Sequence, residues 1–175
     1  MYKEFIIVTE GEFDAKVLNI LLKHKKLTSK YNIQSANGYS SALSKVKSLL
    51  TTTMDNKIVL LLDSDTVDEI EIKKKEDFVN SYINSGFYKE RFKVFWAIPE
   101  FEIVFLNNRV FLKKLMEKRI SNDLFELGKS SPKRMLENVS KKRREDFIHL
   151  IQGKDILDEF FKVGLIKEIS DYLSN

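Results

Sequence analysis

Carboxylates recur in this sequence at three places, each directly after a short apolar run. Glu10-Gly11-Glu12-Phe13-Asp14 follows Phe5 to Thr9, and Asp63-Ser64-Asp65 follows Lys57 to Leu62. Glu100-Phe101-Glu102 follows Phe92 to Ile98 and Pro99. Carboxylates held within about 4–6 Å of one another repel and hold on to protons unless a cation neutralises them. A divalent ion does this, and magnesium in particular takes carboxylate oxygens together with retained water. The chain has no cysteine and only two histidines, His24 and His149, so a thiolate or zinc site is not expected. Mg²⁺, with Mn²⁺ as a substitute, is the expected cofactor. Either aspartate alone is an ordinary turn or capping residue; the recurrence of acids after separate strands is what points to a metal. Asp63 and Asp65, two residues apart, are expected to project to the same side where their strand ends. Gly11, between a strand and a helix, permits a tight backbone turn, and the helix start behind it suits a phosphate.

These residues need a scaffold that brings their strand ends to one rim. Phe5 to Thr9 reads as a first strand. Val17, Leu18, Leu21 and Leu22 then fall at helical spacing from Glu12 to the Lys23-His24-Lys25-Lys26 cluster. A second strand is expected around Tyr31 to Ala36, ended by Asn37-Gly38. Leu43, Val46, Leu49 and Leu50 form one face of a second helix. Lys57 to Leu62 is uniformly apolar after its lysine, as in a strand buried on both faces. A third helix is expected over about Lys74 to Asn84, with Phe78, Tyr82 and Ile83 inward and Gly86 ending it; Phe92 to Ile98 makes a fourth strand. Strand and helix alternate, which argues for an α/β fold with a mostly parallel four-stranded sheet flanked by helices. Such sheets bind ligands outside the carboxyl ends of their strands, where the three acidic segments lie.

Beyond Phe101 only helices are expected: Phe101 to Lys118, one opened by Ser131-Pro132, and one from about Asp155 to Leu173 weakened by Gly164. Residues 1–108 are read as the α/β core and 109–175 as a basic helical extension packed on it. Apolar residues make up 43% and charged residues 32% of the 175, the balance of a globular chain. There is no long apolar run for a membrane span and no leader pattern ahead of the first strand, so a cytoplasmic protein is expected. The net charge of +4 is unevenly spread. Between Arg109 and Arg144 twelve Lys and Arg stand against four Asp and Glu, whereas the remainder carries eighteen against twenty-two. An acidic site beside a basic half suits a protein that holds cations and meets a polyanion, so nucleic acid is the expected partner.

Ile6-Ile7-Val8-Thr9-Glu10-Gly11-Glu12-Phe13-Asp14 and Ile58-Val59-Leu60-Leu61-Leu62-Asp63-Ser64-Asp65 resemble the two motifs of the Toprim (topoisomerase–primase) family, with Asn37-Gly38 and its helix between them. The resemblance covers about residues 3–105. It implies a compact parallel sheet, Mg²⁺ on acidic residues, and breakage or joining of phosphodiester bonds. Within the family the chain looks most like the OLD-type (overcoming lysogenization defect) nucleases and small stand-alone relatives. Asp14 stands four residues after Glu10, where such nucleases place a second acidic ligand, and Pro99-Glu100-Phe101-Glu102 resembles the motif after their fourth strand. The resemblance implies a metal-dependent endonuclease acting on DNA or RNA, the effector of a multi-protein, phage-defence-like system. No Gly-x-x-x-x-Gly-Lys-[Ser/Thr] segment occurs, so the motor of an ATP-driven system is expected on a separate ATPase partner.

The resemblance and the number of carboxylates favour two-metal phosphodiester hydrolysis. The expected ligands are Glu10 and Asp14 on one side, Asp63 and Asp65 on the other, and Glu100 or Glu102 to complete a site. Glu10 as general base is the alternative role. Lys133 and Lys129 are the candidates for a lysine beside the cleaved phosphate. Lys141-Lys142-Arg143-Arg144 reads as a patch contacting the nucleic-acid backbone. The competing reading is a non-catalytic Toprim-like module that binds nucleic acid or protein. A receiver-like domain also places aspartates at parallel strand ends, but it needs a lysine behind a fifth strand that is not evident here.

Overall fold

The computed structural model describes residues 4–117, 119–140, 146–152 and 156–174. Four strands, β1 (Phe5–Thr9), β2 (Tyr31–Ser35), β3 (Lys57–Asp63) and β4 (Phe92–Ala97), form one parallel sheet in the order β2-β1-β3-β4. α1 (Glu12–His24) connects β1 to β2, α2 (Tyr39–Thr52) connects β2 to β3, and α3 (Glu69–Ile83) connects β3 to β4. Side chains alternate across the sheet. Phe5, Ile7, Val59 and Leu61 face α1 in one core, while Ile6, Val8, Leu60 and Leu62 face α2 and α3 in the other. With right-handed crossovers, β1 to β2 runs one way with its helix on one face, and the next connections run the other way with helices opposite. The reversal falls between β1 and β3, which makes the carboxyl ends of those strands the topological switch point.

The α1 core continues into the second half of the chain. A 3₁₀ turn over Phe101–Leu106 leads to α4 (Arg109–Met116), α5 (Asn122–Ser130), α6 (Pro132–Ser140) and α7 (Asp146–Gln152), followed by a second 3₁₀ turn over Leu157–Phe161 and α8 (Leu165–Ser174). Phe105 is fully buried and packs against Phe13 of α1, Phe147 of α7 and Phe160. Tyr172 of α8 sets its ring edge-on to Phe5 of β1 and Phe95 of β4. One apolar core thus joins sheet, α1 and the later helices. Among the described residues no helix is long and apolar enough to cross a membrane.

Several expected boundaries move. α3 begins at Glu69 because the Asp68 carboxylate accepts from the Ile70 and Glu71 amides at 2.8 and 3.0 Å. Ile72, Val79 and Ile83 are its inward residues, whereas Phe78 is 53% and Tyr82 37% exposed, so the expected helical phase was off by about one residue. Asn84, at φ 56°, closes α3 ahead of Gly86. The single helix expected from Phe101 breaks at Asn107-Asn108, where the Asn108 side chain caps α4 by accepting from the Phe111 amide. Gly164, at φ 74°, divides the last expected helix. α5 and α7 were not anticipated. Asp155 and the Lys141–Arg144 patch lie outside the described residues.

Candidate functional site

Register brings the first two acidic segments together. Thr9 pairs with Leu61, so Glu10 comes alongside the end of β3. There the Asp63 backbone N–H donates to the Glu10 carboxylate. The Glu10 carbonyl accepts from Gly38 at 2.9 Å, which draws the start of α2 to the same rim. Asn37 and Gly38 both take positive φ there (58° and 113°), a turn open to asparagine and glycine. On the other side of Glu10 the chain turns into α1, and the Asp14 carboxylate folds back to accept from the Gly11 amide at 3.1 Å. A side chain at position 11 would come to 3.2 Å from that carboxylate, so glycine there leaves room for Asp14.

Past β3 the backbone does not keep strand geometry. Ser64 donates through its amide to the Ala97 carbonyl at 2.9 Å, and Asp65 to the Pro99 carbonyl at 2.8 Å, after the cis Ile98–Pro99 bond. Asp65 takes a left-handed conformation, φ 54°, so strand alternation does not extend to it. By that alternation Asp63 follows Val59 and Leu61 toward the α1 face, whereas Glu10 follows Ile6 and Val8 toward α2 and α3. From this turn the Asp65 charge acts on Glu10.

Electrostatics records the result. Burial raises the Glu10 carboxyl above the usual carboxylate range, and the charges of Asp65 and Asp14 raise it further. The Asp63 amide and Lys75 pull it down without cancelling the rise. One Glu10 oxygen, Oε2, is buried without a hydrogen-bond partner. Tyr39, at the first turn of α2, has its phenol raised by burial and then by Glu10 and Asp65. An open cleft of about 480 Å³ lies beside Asp65, lined by Tyr39, Glu71, Lys74, Lys75 and Phe78.

Lys75 and Tyr39 are the residues that reading the sequence missed. Lys75 donates to the Ser64 carbonyl at 2.6 Å and to the Asp65 carboxylate at 3.1 Å. Its neighbours Lys73 and Lys74 pair instead with acids of their own helix, at Glu76, Asp77 and Glu71. The distinguishing signal is phase: Lys75 stands three residues after Ile72 and four before Val79, on the buried side of α3.

Glu100, Glu102, Lys129 and Lys133 lie on the segments that follow β4. The Glu100 carboxylate accepts from the backbone N–H of Lys133 at 3.1 Å, and so caps the first turn of α6. Glu102 is buried in the first 3₁₀ turn. Neither is among the groups that shift Glu10. The Lys133 side chain is exposed, and Lys129 pairs with Glu126 at 2.8 Å on its own helix. Among the described residues, no set of three His, Cys, Asp or Glu side chains is already gathered around a metal position. The donor chemistry nevertheless fits a hard divalent cation. The charges of Asp14 and Asp65 act against that of Glu10, one of whose oxygens is buried and unsatisfied, and the Asp63 backbone is adjacent.

No family model matches the chain, and no curated protein matches it significantly. A solved structure, the C-terminal region of the Burkholderia pseudomallei OLD protein, is similar over 99% of this chain and 98% of that one, with a TM-score of 0.56 and 13% identity. The chain thus has the α/β fold of an OLD C-terminal region, a parallel sheet flanked by helices with a helical second part.

Proposed function

We propose that this chain is a divalent-metal-dependent nuclease of the Toprim type, hydrolysing phosphodiester bonds of DNA or RNA. The observation that carries the reading is Glu10 at the switch point of the sheet, with one oxygen buried and unsatisfied and its carboxyl raised by the charges of Asp65 and Asp14. Glu10, Asp14, Asp63 and Asp65 would hold Mg²⁺ or Mn²⁺, with Glu100 and Glu102 as further carboxylates on the following segment. The metal would supply an activated water and charge neutralisation at the phosphate. The chain's own contributions are orientation and electrostatics. The Gly11 amide holds Asp14, the Asp63 amide holds Glu10, and Lys75 holds Asp65. Lys75 and Lys133 are the lysines to test for stabilising developing phosphate charge. The fold shared with the OLD region supports the reading, and an ATPase on another chain fits it as a partner.

The test is cleavage of plasmid DNA and of structured RNA with Mg²⁺ or Mn²⁺, comparing the wild type with Glu10→Ala and Asp63→Ala. Removing either carboxylate is expected to lower cleavage by about a hundred-fold or more, the scale of a catalytic group. Full activity in both variants would sink the site assignment. A second reading, a non-catalytic interaction module, draws support from the Lys75–Asp65 pair, which already gives one of the expected ligands a cation. Calorimetry separates the two: heat of Mg²⁺ binding that disappears with Glu10→Ala favours the nuclease.

A further inference from the structure

A cleft lies away from the carboxylates, between the start of α4 and the segment that enters α5. It measures about 730 Å³ and is lined by Arg109, Val110, Lys113, Arg119, Ile120 and Ser121. Among the described residues, three side chains in the lining are cationic and none is acidic. Five other exposed lysines are neutralised within their own helix or turn: Lys73, Lys74, Lys129, Lys162 and Lys167 each pair with an acid three or four residues away. Among the described residues no carboxylate pairs with Lys113 or Arg119, although both are exposed. Like charges in one concavity repel, and an anion entering it relieves that repulsion.

The cleft is also built. Arg109 donates through Nε and Nη2 to the Ile120 carbonyl at 3.1 and 2.7 Å, and through Nη1 to the Asn122 side chain. These bonds fix the guanidinium plane and still leave N–H donors on both terminal nitrogens. Buried Ile120 contributes to the floor, and Val110, 70% exposed, gives one wall an apolar surface. The Ser121 hydroxyl accepts from the Leu124 amide at 3.2 Å and caps α5, so the positive end of that helix opens at the same place.

We propose that this cleft is an anchoring site for the phosphodiester backbone of nucleic acid, separate from the carboxylate site. The proposal takes its ligand class from the nuclease reading but does not depend on cleavage. A fixed guanidinium fork, two further cations and a helix N-terminus match the several oxygens of a phosphate, while the apolar wall suits the adjoining sugar. An acidic polypeptide presents single carboxylates on flexible stems and uses less of this arrangement.

The experiment is fluorescence anisotropy of the full chain in EDTA with labelled duplex DNA, single-stranded DNA and structured RNA, and with polyglutamate and inorganic phosphate as competitors. The variant is Lys113→Ala with Arg119→Ala. Both side chains are exposed, and circular dichroism checks that the fold is kept. Arg109 is left in place because it braces Ile120 and Asn122. The expected result is a loss of nucleic-acid affinity of about ten-fold or more near 0.1 M salt, with the duplex salt slope reduced by about 1.8 for the two missing phosphate contacts. Unchanged affinity and slope would overturn the proposal, as would a wild type that binds none of the three nucleic acids. Polyglutamate competing as well as DNA would also overturn it, in favour of an acidic protein partner. Competition by phosphate alone at millimolar concentration supports the same anion chemistry. Intact binding with no cleavage in Mg²⁺ would count against the nuclease reading alone.

Discussion

Glu10 concentrates the cost of this site. Its carboxyl is raised above the ordinary 4.5 by burial and by Asp65 and Asp14, so the folded chain binds that proton more tightly than the unfolded chain does. By linkage, the Glu10 contribution to stability is fully present below pH 4.5 and is lost as pH rises through the folded value. In EDTA at neutral pH, Glu10→Gln is therefore expected to melt above the wild type, with the gap closing in acid. Glutamine can still accept from the Asp63 amide, so the comparison isolates charge. Under the metal reading the ranking reverses in Mg²⁺. Metal at about a hundred times its Kd stabilises the wild type by about 2.7 kcal/mol, and the variant gains far less. Identical wild-type melting in EDTA and in Mg²⁺ would remove the metal from the account. Thermal melts from about pH 4 to 8 read both effects.

At the scale of elements, α3 sets what reaches Asp65. Its start is held by Asp68, which accepts two amide hydrogen bonds. Asp68→Ala is expected to cost about 1 kcal/mol in urea unfolding. A loss within experimental error would mean that packing of Ile72, Val79 and Ile83 alone fixes the start of the helix. The edge strand β2 offers a second check. Tyr31, 5% exposed, donates its hydroxyl to the Asn19 side chain at 3.1 Å, which ties β2 to α1. Burial pushes its phenol up from 10 to about 12, so this contribution to stability is held below pH 10 and lost as pH rises toward 12. Tyr39 and Tyr172 are raised as well, so absorbance titration should show several late-ionising tyrosines, of which Tyr31→Phe removes one.

For the whole molecule, the shared core is the controlling fact. Phe105 packs both on α1, whose first turn holds Asp14, and on Phe147 and Phe160 of the region beyond residue 108. Phe105→Ala is expected to cost about 3–5 kcal/mol, the range for deleting a buried phenylalanine. Because that core spans both halves, unfolding should be one transition, with fluorescence of Trp96 and far-ultraviolet dichroism coinciding. Two separated transitions would show that residues 1–108 and 109–175 are independent units. The same packing carries the basic cleft on the body that bears the acidic site, so one polyanion could engage both.

What the sequence determined by itself was the series of elements and the chemistry offered at their ends. Buried parallel strands read as unbroken apolar runs, and helices read through their period; both are local properties of a few residues. The four strands, α1, α2 and the acids after three strands were legible for that reason. Tertiary structure decided which of those acids meet. Glu10 and Asp63 adjoin because β1 and β3 pair in a particular register across the switch point. The Asp65 charge acts on Glu10 from a left-handed turn held by the Pro99 carbonyl, a contact from another strand end. Glu100 instead caps a helix more than thirty residues away. Lys75 joins the site through the phase of α3, which an early cap and two exposed aromatics disguised. Side-chain encounters of this kind depend on register, helix phase and long-range packing, none of which is encoded by spacing along the chain.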